Sequence, residues 1–278
     1  MRSPAIFFHI GLGKTGTTFL QYRAFPKFKG IEYIQRTRYA RAKEIINASS
    51  AQKFFISYEC DQQLERVAKD WAKDYPQTTP IIVFRRHDSW IASQFRRFVK
   101  NCHVRRFDEL LVPGTDQGLF NDQDLQYGAM VRMLDHLFDK KPIVLLYDDL
   151  RRDPEKFISF LAESMQCTID IDEVDFSRKH SSYSEKQLKG LMATQRYIDL
   201  RKKVVLKNKV LEFFRKTAVN GTRYLILFLA GLMPDSWFTD GPLVKEEVLQ
   251  AVRDHYQKDW EHILSIAQRV DNPVLIDP

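Results

Sequence analysis

Five short apolar runs punctuate the first half of the chain: AIFFHI at 5–10, IEYI at 31–34, FFISY at 54–58, PIIVF at 80–84 and PIVLLY at 142–147. Each has strand length, and most lack the polar alternation of a sheet wetted on one face, so they predict strands covered on both sides. Between them apolar positions recur at helical spacing. In residues 61–75, Leu64, Val67, Ala68, Trp71 and Tyr75 share one face behind Asp61, a candidate N-cap. Asp88 is placed to cap a helix running through Val99, and Asp153 with Pro154 opens another whose buried stripe is Phe157, Ile158, Leu161 and Met165. After about residue 184 the strand patterns stop. Ser184 and Gln187 form a capping-box start, and Leu249, Val252, Tyr256, Trp260, Ile263 and Leu264 mark a long amphipathic C-terminal helix. Strands alternating with helices predict an α/β fold: a mostly parallel central sheet of about five strands flanked by helices, with a helical C-terminal portion. There is no internal repeat or long Gly/Pro/Ser linker, so residues 1–278 are expected to form a single domain, mostly helical over 184–278.

Composition narrows the partners. The 278 residues are 44% hydrophobic, enough for a packed core, and the net charge of +7 favours anionic partners such as nucleotides, polyanionic sugars, nucleic acid or acidic lipid, alongside a merely basic surface. Basic residues are spread through the chain without a base-reading motif, so no nucleic-acid partner is expected. Three cysteines, Cys60, Cys102 and Cys167, with no CxxC spacing, argue against a disulfide framework or a structural zinc site and fit a reducing compartment. No metal is expected. The N-terminus has no signal-peptide profile, and the expected location is cytoplasmic. YLILFLAGLM at 224–233 is strongly apolar but, at ten residues, well short of the ~20 that cross a bilayer. It reads first as a buried helix and second as a peripheral membrane contact helped by the basic segment Arg201–Lys216.

The chemistry concentrates in FFHIGLGKTGTTFLQ at 7–21. A loop that leaves a parallel strand and enters a helix points backbone N–H groups outward, where the helix dipole adds partial positive charge. Gly11, Gly13 and Gly16 allow turns that aim several N–H groups at one phosphate, Thr15, Thr17 and Thr18 add hydroxyls, and Lys14 adds a full charge. A Walker A loop ending in Gly13, Lys14 and Thr15 would need its first glycine at position 8, where Phe8 stands. A magnesium-dependent nucleotide kinase or NTPase is the alternative reading, supported by PIVLLYDD, an apolar strand running to Asp148.

The pattern GxxKTGTTxL, here Gly11, Lys14, Thr15, Gly16, Thr17, Thr18 and Leu20, resembles the 5′-phosphosulfate loop of sulfotransferases, which use 3′-phosphoadenosine 5′-phosphosulfate (PAPS). The resemblance implies a second element after a later strand, an arginine followed eight residues on by a serine, holding the donor's 3′-phosphate. Arg85 and Ser93 have that spacing, with Arg86 and His87 in place of the usual Asn-Pro and Trp90 in place of a further arginine. LLYDDLRRDPEKFISFL at 145–161 resembles the family's strand-to-helix segment, and residues 178–196 resemble a segment that closes over the nucleotide, with Arg178, Lys179 and Ser182 as phosphate donors. The likeness runs from about residue 5 to residue 196 and implies the P-loop-like sulfotransferase fold.

By the same resemblance Lys14 is the central catalytic residue, neutralising charge on the leaving phosphate, and the acceptor is a hydroxyl, of a carbohydrate or glycolipid. Glu59, after Ser57 and Tyr58 at the end of an expected strand, is the expected general base, with Glu32 as the second candidate. His9 reads as a satisfied strand-end histidine. Arg36, Arg38, Arg41, Arg96, Arg97, Arg105 and Arg106 are expected to shape an acceptor cleft, and residues 105–125 to form a long loop beside it.

Overall fold

The computed structural model describes residues 4–177, 183–198, 200, 207–238 and 241–269. β1 (Ala5–Gly11) leads through the glycine loop into α1 (Thr17–Phe19), which continues as a π turn (Leu20–Ala24) and a 3-10 turn (Phe25–Lys27). There follow β2 (Phe28–Lys29), β3 (Glu32–Ile34), a 3-10 turn (Arg36–Arg41), α2 (Ala42–Ala48), β4 (Lys53–Glu59), α3 (Leu64–Ala72), β5 (Thr79–Phe84) and α4 (His87–Lys100). After a loop come α5 (Tyr127–Leu137), β6 (Ile143–Leu146), α6 (Tyr147–Arg152), α7 (Pro154–Ser164) and β7 (Thr168–Ile169), then α8 (Glu185–Thr194), α9 (Lys209–Leu232) and α10 (Glu246–Ile266).

The five expected runs are the five strands of one sheet, in the order β3-β4-β1-β5-β6, and every pair is parallel. β2 and β7 add a short antiparallel ribbon outside that pattern. Alternate residues of β1 face opposite layers. Phe8 packs against Trp71 of α3 with ring centroids 5.0 Å apart, while His9 meets Phe25 edge-on at 5.4 Å. Phe25 in turn abuts Phe55 of β4 at 4.6 Å, inside a core that also takes Ile81, Val83 and Leu145 from the sheet and Phe157 and Leu161 from α7. Each fully buried ring of this kind contributes about 1.5–3 kcal/mol.

The described residues gather into two compact units, each assembled from separate stretches: Met1–Arg86, Gln123–Ser177 and Tyr256–Pro278 in the first, His87–Asp122 and Arg178–His255 in the second. The whole sheet lies in the first. There α5 begins where Asp259 accepts the backbone N–H groups of Tyr127 and Gly128, each at 2.9 Å, meeting two donors that a helix start leaves open. In the second unit, the loop before α5 is gathered around Asp122, which accepts the Gly114 N–H at 3.1 Å and pairs with His255 at 2.9 Å.

Several local expectations hold and several are corrected. Asp153 caps α7 by accepting the Lys156 N–H, and Ser184 with Gln187 forms a complete capping box on α8. Asp61 does not cap α3, whose N-cap is Gln63; its carboxylate is turned to the glycine loop. Asp88 sits inside the first turn of α4, buried, and pairs with Arg253 at 3.1 Å. The stretch 224–233 is not a buried helix: of its residues only Leu227 and Ala230 are buried, while Tyr224, Leu225, Phe228, Leu229 and Leu232 are exposed. No helix among the described residues is long and apolar enough to cross a membrane.

Candidate active site

β1 is the strand at which the order of the sheet reverses, since β4 lies on one side of it and β5 on the other. In an open parallel sheet the crevice beyond the C-terminal ends of such strands is where ligands bind. The glycine loop is placed there by chain geometry, with Gly11 level with Glu59 at the ends of β1 and β4. A Cβ on Gly11 would lie 2.7 Å from the His9 imidazole, so the strand end must be glycine for the ring beneath it to fit. Lys14 has φ 69°, a left-handed conformation that costs a lysine about 1–2 kcal/mol. Gly16 follows with φ 82° and ψ 7°, and α1 starts from it. A Cβ on Gly16 would meet Leu150 Cδ2 at 2.5 Å, so α6 closes down on the loop from the neighbouring crossover.

The polar groups of the loop are partly committed to the protein. The Thr15 hydroxyl, fully buried, donates to the Leu12 carbonyl at 2.7 Å and closes the turn from inside. Gly13 N–H donates to Asp61 Oδ1 at 2.8 Å. Both findings narrow the set of donors expected for an anion: the Asp61 carboxylate, just past β4, holds the Gly13 amide, and the Leu12 carbonyl holds the Thr15 hydroxyl. Thr17 is buried at the first position of α1, Thr18 is exposed, and Lys14 is half-buried.

The arginine of the second expected element meets the first. Arg85, immediately after β5, donates from Nη1 to the Lys14 carbonyl at 3.2 Å, although 71 residues separate them. Its guanidinium lies over the Tyr147 ring, 4.7 Å from the centroid, and its carbonyl accepts from Tyr127 Oη at 3.2 Å. Burial lowers its pKa below the ordinary arginine value. Ser93 is half-buried on α4, in the second unit. Arg178, Lys179 and Ser182 lie outside the described residues; the chain leading to them is held by Arg23, which donates from Nη1 to the carbonyls of Asp175, at 3.1 Å, and Ser177.

The two base candidates are at opposite ends of the sheet. Glu59 ends β4 beside the loop and its carboxylate accepts from Arg36 at 3.0 Å. Glu32 is level with Phe54, five residues earlier on the same strand, or about 16 Å away along it. Its carboxylate accepts from the Ser49 hydroxyl at 2.6 Å. Glu32 is therefore withdrawn as a base for chemistry at the loop. The arginines expected to line a cleft are largely paired: Arg36 with Glu59, Arg41 with Glu44, Arg96 with Glu185 and Arg106 with Asp108.

Three features escaped the pattern of residues. Asp61 reads as a helix cap because it precedes one, yet it follows a strand whose end borders the loop. Tyr147 and Leu150 read as the crossover after β6, and only the sheet order brings them to Gly16. The third is a polar cluster under the loop, where His9 Nδ1 is 2.8 Å from Ser57 Oγ and Gln21 Nε2 donates to the same oxygen at 2.9 Å. His9 Nε2 and Gln21 Oε1 have no hydrogen-bond partner among the described residues, so His9 is only half satisfied. Burial lowers the His9 pKa to about 4.

Phe8, the position at which a Walker A loop would carry its first glycine, is fully buried within β1 and lies opposite both Ile56 and Pro80. The strand therefore occupies what would be the first turn of such a loop. Asp149, beside Asp148, is buried against Arg152 at 2.9 Å and Arg269 at 3.4 Å. No group of three or more His, Cys, Asp or Glu side chains among the described residues could hold a metal ion.

No protein-family model and no curated protein sequence matches the chain. Among solved structures, the chain is similar to a sulfotransferase from Alicyclobacillus acidocaldarius, at 12% identity and a TM-score of 0.45 over 85% of this chain and 99% of that one. Mouse sulfotransferase SULT7A1, solved with PAP, is similar at 15% identity and a TM-score of 0.42 over 92% and 90%. Retinol dehydratase, solved with retinol and PAP, is similar at 10% identity and a TM-score of 0.34 over 100% and 84%.

Proposed function

We propose that this chain is a sulfotransferase that moves a sulfuryl group from PAPS to an acceptor hydroxyl, on a carbohydrate or a glycolipid. The observation that carries the reading is the hydrogen bond from Arg85 to the Lys14 carbonyl. Lys14 and Arg85, which the resemblance assigns to different phosphates of the same nucleotide, meet at the ends of adjacent strands. The residues present suit such a donor: a loop with two left-handed positions, Lys14 and Gly16, on either side of Thr15, a helix start behind it, and a half-buried arginine beside it.

The donor, when bound, supplies an activated sulfuryl group. The chain supplies position and charge. Lys14 offers an ammonium where negative charge grows on the departing phosphate, a stabilisation of about 3–4 kcal/mol when such a donor is preorganised. The strained backbone at Lys14 fixes where the side chain leaves the loop. Glu59, oriented by Arg36, takes the proton of the acceptor hydroxyl as its oxygen bonds to sulfur. Thr17 and Thr18 at the helix start, with Arg85, hold the nucleotide's phosphates.

Titration calorimetry with adenosine 3′,5′-bisphosphate and a sulfuryl-transfer assay over a panel of hydroxyl acceptors test the reading together. Wild type is expected to bind the bisphosphate, and Lys14→Ala to keep its fold and lose about 10²–10³ in transfer rate. Undiminished turnover in that variant, or no heat of association in wild type, overturns the assignment.

A further inference from the structure

α9 is amphipathic in the inverted sense. Two of its charged residues turn inward: Glu212 is buried against Arg215 at 2.7 Å, and buried Arg223 reaches Asn101 Oδ1 at 3.4 Å while lying over the Tyr224 ring. The inward side also carries the contact with α8, where Gln187 donates to the Leu227 carbonyl at 3.1 Å. A Cβ on Gly190 would come within 2.5 Å of Ala230, so the two helices approach closely. Apart from buried Leu227 and Ala230, its large apolar residues lie mainly on the outward side. Phe213 and Phe214 are 65% and 63% exposed near the helix start; Leu225, Phe228 and Leu232 are 56%, 62% and 70% exposed toward its end. The stripe through 210, 214, 217, 218, 221, 225, 228, 229 and 232 carries no charge. Trp237, just past the helix, is 70% exposed.

We propose that α9 is a docking surface for an anionic lipid bilayer, lying in the plane of the interface with its apolar stripe among the acyl chains. Charge selects that occupant. Residues 207–216 carry four basic side chains and one acid, Glu212, which is paired within the helix. From 217 to 234 the one charged residue is Arg223. Asp235, the acid that follows, is paired with Lys186 at 3.1 Å. A cationic approach followed by Phe, Leu and Trp is what an interfacial helix needs: attraction to acidic headgroups, then burial of apolar surface about 5–10 Å deep. The 24 residues of α9 extend about 36 Å, so the stripe offers on the order of 400 Å². That is about half of what each partner of a stable dimer buries, and the basic approaches of two copies would repel. The proposal stands on this helix alone and is independent of the nucleotide loop.

Vesicle flotation of the full chain tests it, using phosphatidylcholine vesicles and the same vesicles containing about 30% phosphatidylserine. The protein is expected to float with the anionic vesicles, to stay behind with neutral ones, and to be released by salt of about 0.5 M. The triple change Phe214→Asp, Leu225→Asp and Phe228→Asp removes only exposed side chains; it is expected to cut flotation about tenfold or more while leaving the circular dichroism spectrum and thermal midpoint unchanged. Lys207→Glu with Lys209→Glu, both exposed, is expected to weaken binding to anionic vesicles in the same direction. The proposal fails if wild type does not float with phosphatidylserine, or if the triple variant floats as wild type does. It also fails if sedimentation shows a lipid-free dimer that the triple variant abolishes while wild type ignores vesicles, which would make a second copy the occupant.

Discussion

His9 shows how one buried side chain writes a pH dependence into the protein. Desolvation brings its pKa from the ordinary 6.5 to about 4 in the folded chain. Between those values the unfolded state binds a proton that the folded state does not, so this group's contribution is fully present above about pH 6.5 and is lost as pH falls toward 4. From pH 7 to pH 5 the loss is about 2 kcal/mol. Urea unfolding at both pH values, for wild type and His9→Gln, isolates the effect: wild type should lose about 2 kcal/mol more than the variant. Equal pH dependence in the two proteins would show that His9 does not stay neutral at the strand end. Lys14 is strained at the same strand end, its left-handed backbone held by Arg85 on its carbonyl. Neither property is visible in residue type; both come from what the sheet stacks around the loop.

At the level of elements, one tight constraint is the approach of α6 to the glycine loop. Gly16→Ala must place a methyl group 2.5 Å from Leu150 Cδ2 and adopt φ 82°, which together should cost about 2–4 kcal/mol. It should also weaken bisphosphate binding by shifting the helix start. Adding Leu150→Ala gives the methyl group room but leaves the backbone cost, so partial recovery of stability is expected in chemical melts of the single and double variants. Full recovery would mean that the backbone at 16 is not strained, and no recovery that α6 does not press on the loop. The sheet itself was legible because strands buried on both faces are written as uninterrupted apolar runs. The turn at Gly16 was legible too, since a φ of 82° favours glycine. Asp61 was misread because a carboxylate ahead of a helix looks the same whether it caps that helix or reaches sideways to Gly13, and the choice depends on β4 lying next to β1. α9 was misread for a different reason: periodicity reveals that one face is apolar, not which face the fold leaves outside.

For the molecule as a whole, the division into two units does not follow the order of the chain. The polypeptide passes from one unit to the other after Arg86, Asp122, Ser177 and His255, and the last passage occurs within α10. Neither unit is a continuous stretch, so neither can complete its core from one uninterrupted piece of chain. That connectivity supports the proposal of a single cooperative domain, for which calorimetric and van't Hoff enthalpies should agree in one thermal transition. Adenosine 3′,5′-bisphosphate at about a hundred times its dissociation constant should then add about 2.7 kcal/mol to the stability of the entire fold. For a chain of this size that corresponds to a midpoint raised by roughly 5 °C. Scanning calorimetry with and without the bisphosphate distinguishes the cases. One peak moving as a whole is the expected result. Two peaks, of which the nucleotide moves one, would mean that the sheet and its loop fold and bind independently of the second unit, and that the interleaved chain does not tie the two into one equilibrium.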